Sequence, residues 1–164
     1  MASGDTLLVW TPLANEPPAA NYATLDLRNQ HPVLDFDAAT QESAIFGGVL
    51  PRHYGGGGIT ATHVWMATSA TSGVCRWEGL FERHQASTDD LDADTFAAAQ
   101  ASDGTAPATS GQPLYTTIAF TNGAQIDSLA AGESFRYAAR RAAAHANDTM
   151  TGDGELLRVE LKET

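Results

Sequence analysis

The chain has 164 residues, one cysteine, and 20 acidic side chains against nine basic ones, a formal net charge of −11. That length suits one domain burying roughly 70 % of its unfolded surface, and the lone Cys75 excludes an intrachain disulfide framework and fits a reducing compartment. The charge excludes broad docking on nucleic-acid phosphates or anionic membranes, because too few cations are present to release counterions. No run approaches the length of about 20 apolar residues that a bilayer span needs. The opening M-A-S-G-D-T-L-L-V-W carries no basic leader, so the expectation is a soluble protein without an export signal.

In chain order, 6–10 is a short apolar run, and the following T-P-L-A-N-E-P-P-A-A-N-Y carries Pro12, Pro17 and Pro18. Proline lacks the N–H that a central strand or helix interior needs, so residues 1–22 are expected to form an extended arm. Alternation of apolar and polar residues then predicts strands over 23–29, 32–37 and 42–50. The most regular stretch follows. Ile59, Ala61, His63, Trp65 and Ala67 share one side of an extended run, and Val74, Arg76, Glu78, Leu80 and Glu82 share one side of the next. Residues 68–73 supply the turn between them, which would make the two runs partners and bring His63 near His84. Beyond a polar loop at 87–96, residues 94–100 fit a helical turn or a strand equally well. Residues 101–112 read as a breaker-rich connection. Strands are predicted at 114–121 and 155–161. The alanine-rich 134–143 alternates as a strand despite its helix propensity. Eight or nine short strands at this spacing predict an all-β, jelly-roll-like antiparallel β-sandwich over 23–164.

Chemical motifs are weak. Gly55 to Gly58 lack the following Gly-Lys-Ser/Thr of a phosphate loop and read as a flexible turn. Asp90, Asp92 and Asp94 have calcium-loop spacing, but Thr95 replaces the turn glycine and Ala101 the bidentate glutamate, so a solvated acidic loop is expected. His31, His53, His63, His84 and His145 show no metal-binding grouping. Cys75, beside Trp77, reads as a buried thiol. There is no G-x-S-x-G elbow, and Gly132 to Arg136 lacks its closing glycine. Asp35, Asp37, Glu42 or Glu78 could supply a pair of carboxylates, but spacing does not show which of them meet. Asn147-Asp148-Thr149 matches a glycosylation acceptor and reads as a turn. The expectation is a non-enzymatic protein without cofactor or metal.

Residues 15–37 (N-E-P-P-A-A-N-Y-A-T-L-D-L-R-N-Q-H-P-V-L-D-F-D), 42–73, and the later A-Q-I-D-S-L-A-A-G-E-S-F-R and N-D-T-M-T-G-D-G-E-L-L-R-V-E-L carry a resemblance. They resemble a family of small acidic virion proteins of tailed bacteriophages, similar in turn to jelly-roll capsid decoration, or cement, proteins. That resemblance implies a structural protein on the capsid surface, made in the host cytoplasm, a homotrimer whose partner is the major capsid protein. Interface candidates are Leu8, Trp10, Pro12, Pro17, Pro18, Tyr22, Tyr54 and Tyr115, with the arm reaching a neighbour or the capsid instead of its own core. The alternative is a carbohydrate-binding jelly-roll module of a phage fibre or receptor-binding apparatus. Exposure of Trp10, Trp65 or Trp77 would favour the alternative, and burial of all three the structural reading.

Overall fold

A computed structural model describes residues 4–164. Ten strands form: β1 (Thr6–Trp10), β2 (Thr24–Arg28), β3 (His31–Phe36), β4 (Glu42–Val49), β5 (Ile59–Ala67), β6 (Val74–His84), β7 (Gln100–Thr105), β8 (Leu114–Phe120), β9 (Ser134–Arg141) and β10 (Gly154–Glu163). One sheet runs β2-β3-β10-β5-β8, with β1 also on β10, and the other runs β4-β9-β6-β7. All strand pairs are antiparallel. The two sheets pack as a β-sandwich, the architecture that the alternating strands predict.

The alternation decides what lies between the sheets. Ile59, Ala61, His63, Trp65 and Ala67 are all buried, and from the facing sheet come Cys75, Trp77, Phe81, Phe135, Tyr137 and Ala139. Trp65 and Trp77 lie 5.8 Å apart between centroids, and Phe81 meets Phe120 edge-on at 4.9 Å. Two of the buried polar tips find partners: the Trp65 indole donates to Thr116 Oγ1 at 2.9 Å, and His63 Nε2 shares a hydrogen bond with the Tyr137 hydroxyl at 2.8 Å, while Trp77 Nε1 and His63 Nδ1 have none among the described residues. Burial lowers the His63 pKa to about 3, which keeps its ring neutral.

The most regular pair in the sequence is not a hairpin. β5 pairs with β10 and β8, whereas β6 pairs with β9 and β7, so residues 68–73 carry the chain from one sheet to the other. The reason is that each run has a large-aromatic side, and two such sides bury more when they face across a sandwich than when they lie beside each other in one sheet. His63 is therefore in the core, while His84 sits at the end of β6 beside Ser134. Residues 94–99 are irregular, and β7 occupies part of the stretch expected to be a connection. An edge strand needs neither β-branched residues nor two apolar faces, which is why Q-A-S-D-G-T gives little signal. Its Gly104 is required sterically, since a Cβ there would meet Thr116 Oγ1 at 2.5 Å.

The N-terminal segment also differs from expectation. β1 joins the sheet against the second half of β10, with Leu8 opposite Leu161 and Trp10 opposite Val159. Leu7 and Trp10 belong to the main core cluster, and Leu8 packs on it. The first half of β10 takes β3 on the same edge, so β1 fills a gap that would otherwise leave apolar residues of β10 uncovered. Between β1 and β2, residues 11–23 have no strand pairing apart from bridges of Asn15 to Phe46 and Tyr22 to Ser43.

Two polar devices close the sandwich. Arg141 of β9, fully buried, forks onto Asp148 (Nη2 to Oδ1 2.8 Å, Nε to Oδ2 3.1 Å). It also donates to the carbonyls of Phe36, Met150 and Gly152 at 3.3, 2.8 and 2.8 Å. Phe36 lies in the opposite sheet, so this guanidinium ties the sheets together. At the other end the glycine run does bind an anion, one from its own chain. The amides of Gly55 and Gly57 donate to the buried Glu163 carboxylate at 3.0–3.1 Å, and a Cβ at Gly55 would meet Glu163 Oε1 at 2.9 Å.

Candidate functional site

Among the described residues no three His, Cys, Asp or Glu side chains group so as to hold a metal ion. Of the carboxylates considered for glycoside chemistry, Glu78 stands apart, whereas Asp35, Asp37 and Glu42 lie near one another where β3 ends and β4 begins. Glu78 is held by Arg140 at 2.6 Å on the outer side of the β4-containing sheet, while Asp35 lies on β3 in the other sheet. Glu42 accepts from the Asp37 amide at 2.9 Å. Burial pushes the Cys75 thiol up to about 12, which leaves it protonated and unreactive. The Asp90 and Asp94 side chains accept backbone N–H groups of their own loop.

What the fold leaves open is surface. Trp10, Trp65 and Trp77 are 7 %, 0 % and 0 % exposed, so none forms a platform. Trp10 stacks on Phe46 and Tyr137 and donates to the Gly47 carbonyl at 3.1 Å. Tyr54 is buried too, its hydroxyl donating to the Gly57 carbonyl. Of the interface candidates, Leu8, Trp10 and Tyr54 thus spend their apolar area within their own chain. Tyr115 is 68 % exposed, but on β8, at the opposite edge of the sheet from β2. Pro18 borders a second groove, described below.

Pro12, Pro17 and Tyr22 do come together. With Leu13, Asn15, Ala23, Thr24, Leu25 and Leu34 they line a concavity of about 280 Å³ between the proline-rich segment and the β2–β3 hairpin. Leu13, Tyr22, Leu25 and Leu27 are 70, 50, 54 and 66 % exposed. The cause is local. Asn29 and Gln30, both at positive φ, turn the hairpin tightly, and Leu25 pairs with Leu34 while Leu27 pairs with Pro32. Leu25 and Leu27 therefore point to the side of the sheet that elsewhere faces the core, but β2 lies beyond the edge of the opposing sheet and, among the described residues, no second layer covers them. β2 pairs on one side only, and its free edge is partly blunted because Asp26 Oδ1 accepts the Leu27 amide at 2.7 Å. The leucine alternation was readable; that no second layer reaches this far was not.

No family model matches the chain, and a comparison with curated proteins finds no match. Among solved structures, the CBM22-2 xylan-binding domain of Xyn10C from Paenibacillus barcinonensis is similar at 11 % identity, covering 92 % of each chain with a TM-score of 0.51. At that identity the likeness is one of fold. It agrees with the two-sheet antiparallel sandwich.

Negative charge surrounds the hairpin. Asp26 and Asp35 lie on its outer side with Glu155, while the Glu16 carboxylate lies against Gly47 of β4. Desolvation, then Asp153, Glu155, Asp26 and Glu42 in turn, raise the Asp35 pKa from its ordinary 3.8 to about 6. The fold thus prefers the protonated acid, and stability is lost as pH rises from about 4 to about 6, because the unfolded chain ionises first. Asp35→Asn is expected to raise Tm at pH 7 and to change it little at pH near 4, measured by calorimetry across that range. A Tm difference that stays constant with pH would show that Asp35 ionises normally.

The second groove crosses the outer side of the other sheet. Ile45, Leu80 and Ala138 form an apolar floor, against which Phe96 packs from the 85–99 loop, with Arg136 5.2 Å from its ring centre. Pro18, Asn21, Gln41, Ser43 and Arg140 border it, and its volume is about 250 Å³.

Proposed function

We propose that this protein is a non-enzymatic virion protein that binds the outside of an assembled phage head and stabilises it, acting as a homotrimer. The observation that carries the reading is the allocation of apolar surface. Every tryptophan is spent on the core, while the uncovered leucines and Tyr22 gather beside the β2–β3 hairpin, an arrangement suited to gripping another protein. The sequence resemblance of 15–37 and 42–73 to small acidic virion proteins supplies the partner. Three such grips on one trimer reinforce one another through high effective concentration, so each can be weak.

The test is co-sedimentation of the purified protein with phage heads lacking it, followed by thermal disruption of the heads. Bound protein and a higher disruption temperature are expected. Protein that stays in the supernatant at all ratios would sink the proposal.

A second reading, carbohydrate binding, is favoured by the shared fold with a xylan-binding domain and by the groove holding Phe96, Gln41 and Asn21. Its signature would be calorimetric binding of neutral oligosaccharides that is abolished by Phe96→Ala.

A further inference from the structure

We infer that the groove between the proline-rich segment and β2 takes an extended apolar segment flanked by lysine or arginine from a different protein, and not a second copy of this chain. The inference rests on the docking role proposed above and specifies what is docked. Its apolar half is geometric. Leu13, Tyr22 and Leu25 line one concavity and Leu27 continues the row along β2, so side chains at alternate positions of an extended partner meet successive apolar sites. Pro12 and Pro17 stiffen the opposite wall, which limits the ordering cost of binding.

The electrostatic half comes from counting where the cations are. Arg28, Arg76, Arg83, Arg136, Arg140 and Arg141 are each tied to a carboxylate of their own chain. Among the described residues that leaves Arg52, Arg158 and Lys162 outside ion pairs, against a net charge of −11. Asp26 sits between Leu25 and Leu27 on β2, and Asp35 pairs with the groove-lining Thr24, which puts two carboxylates on the outer side of the hairpin next to the groove. The one arginine of the hairpin, Arg28, is neutralised by Glu155 at 2.6 Å. Asp35 Oδ1 is enclosed and has no hydrogen-bond partner. A second copy would bring more carboxylates to this rim and few free cations, whereas a basic segment gains both attraction and selectivity.

The test uses two synthetic peptides, one alternating Leu or Val with Lys or Arg, the other identical except that Glu replaces every cation. Amide resonances of the isotope-labelled protein are followed during titration. The basic peptide is expected to shift resonances in 12–27, with affinity falling as salt rises, and Leu25→Asp, a change at an exposed position, is expected to weaken it about tenfold or more. The acidic peptide should leave the spectrum unchanged. Equal response to both peptides, shifts confined to other regions, no response to the basic peptide, or concentration-dependent self-association that Leu25→Asp abolishes would each overturn the inference. Co-sedimentation of the Leu25→Asp protein with heads separates the two claims. Retained binding refutes the groove as the contact and leaves the virion role standing, while failure of the unaltered protein to bind heads refutes the role and leaves the peptide titration to decide the groove.

Discussion

Replacing Arg141 with methionine is expected to be among the most damaging single changes in this protein. The guanidinium and the Asp148 carboxylate are 0 % and 1 % exposed, so removing the cation leaves an anion in a dry interior. Breaking a buried pair from one side costs roughly 3–5 kcal/mol, and three carbonyls, those of Phe36, Met150 and Gly152, lose their donor as well. For a domain of this size that is a fall in Tm of roughly 10–15 °C. The companion experiment is the double change Arg141→Met with Asp148→Asn, which removes both charges and keeps an oxygen for the Arg76 amide that Asp148 now accepts at 2.9 Å. The double variant should be more stable than Arg141→Met alone, because most of the loss comes from the stranded charge and not from the missing attraction. If the double variant is the less stable of the two, the ion pair contributes net stability and the desolvation argument fails here.

Arg141 also shows where sequence reading stops. The strand expected at 134–143 was legible from alternation in spite of its alanines, although it ends at Arg141, and so were the positions of β2 to β6, β8 and β10, because one buried face per strand imposes a period of two. Sheet membership was not legible. A six-residue link at 68–73 is compatible with a hairpin or with a crossing, and the choice depends on how much aromatic area faces aromatic area once all ten strands are placed. Gly55 to Gly58 make the same point about the site. A glycine run without lysine gave no reason to expect an anion, yet the backbone amides of Gly55 and Gly57 hold Glu163, more than a hundred residues away. The exposed leucines of β2 belong to this class too. Leu25 and Leu34 look alike as alternating apolar residues, and only the extent of the opposite sheet makes one buried and the other a surface.

Removing residues 1–20 is expected to unfold the domain, the opposite of what an arm serving only neighbours would give. β1 satisfies the free edge of β10 from Val159 to Lys162, and Trp10 fills the space among Phe46, Phe135 and Tyr137 with ring centroids 5.6–6.1 Å apart. A tryptophan this deeply placed is worth about 3–5 kcal/mol on truncation to alanine, and deletion adds Leu7, Leu8, Pro12 and a strand's ladder hydrogen bonds to the loss. A total of that size approaches the whole stability of an ordinary domain, about 5–15 kcal/mol. Circular dichroism should show loss of the cooperative transition in the truncated protein, and Trp10→Ala should keep the transition with a Tm lower by roughly 10 °C or more. The pair of variants separates two roles that lie close together in sequence. Residues 6–12 hold the core, whereas Leu13, Pro17 and Tyr22 line the outer groove, so Leu13→Ala and Tyr22→Ala should leave Tm nearly unchanged. If the truncated protein keeps a sharp transition near the full-length Tm, β1 is dispensable and the segment must be assigned to assembly after all.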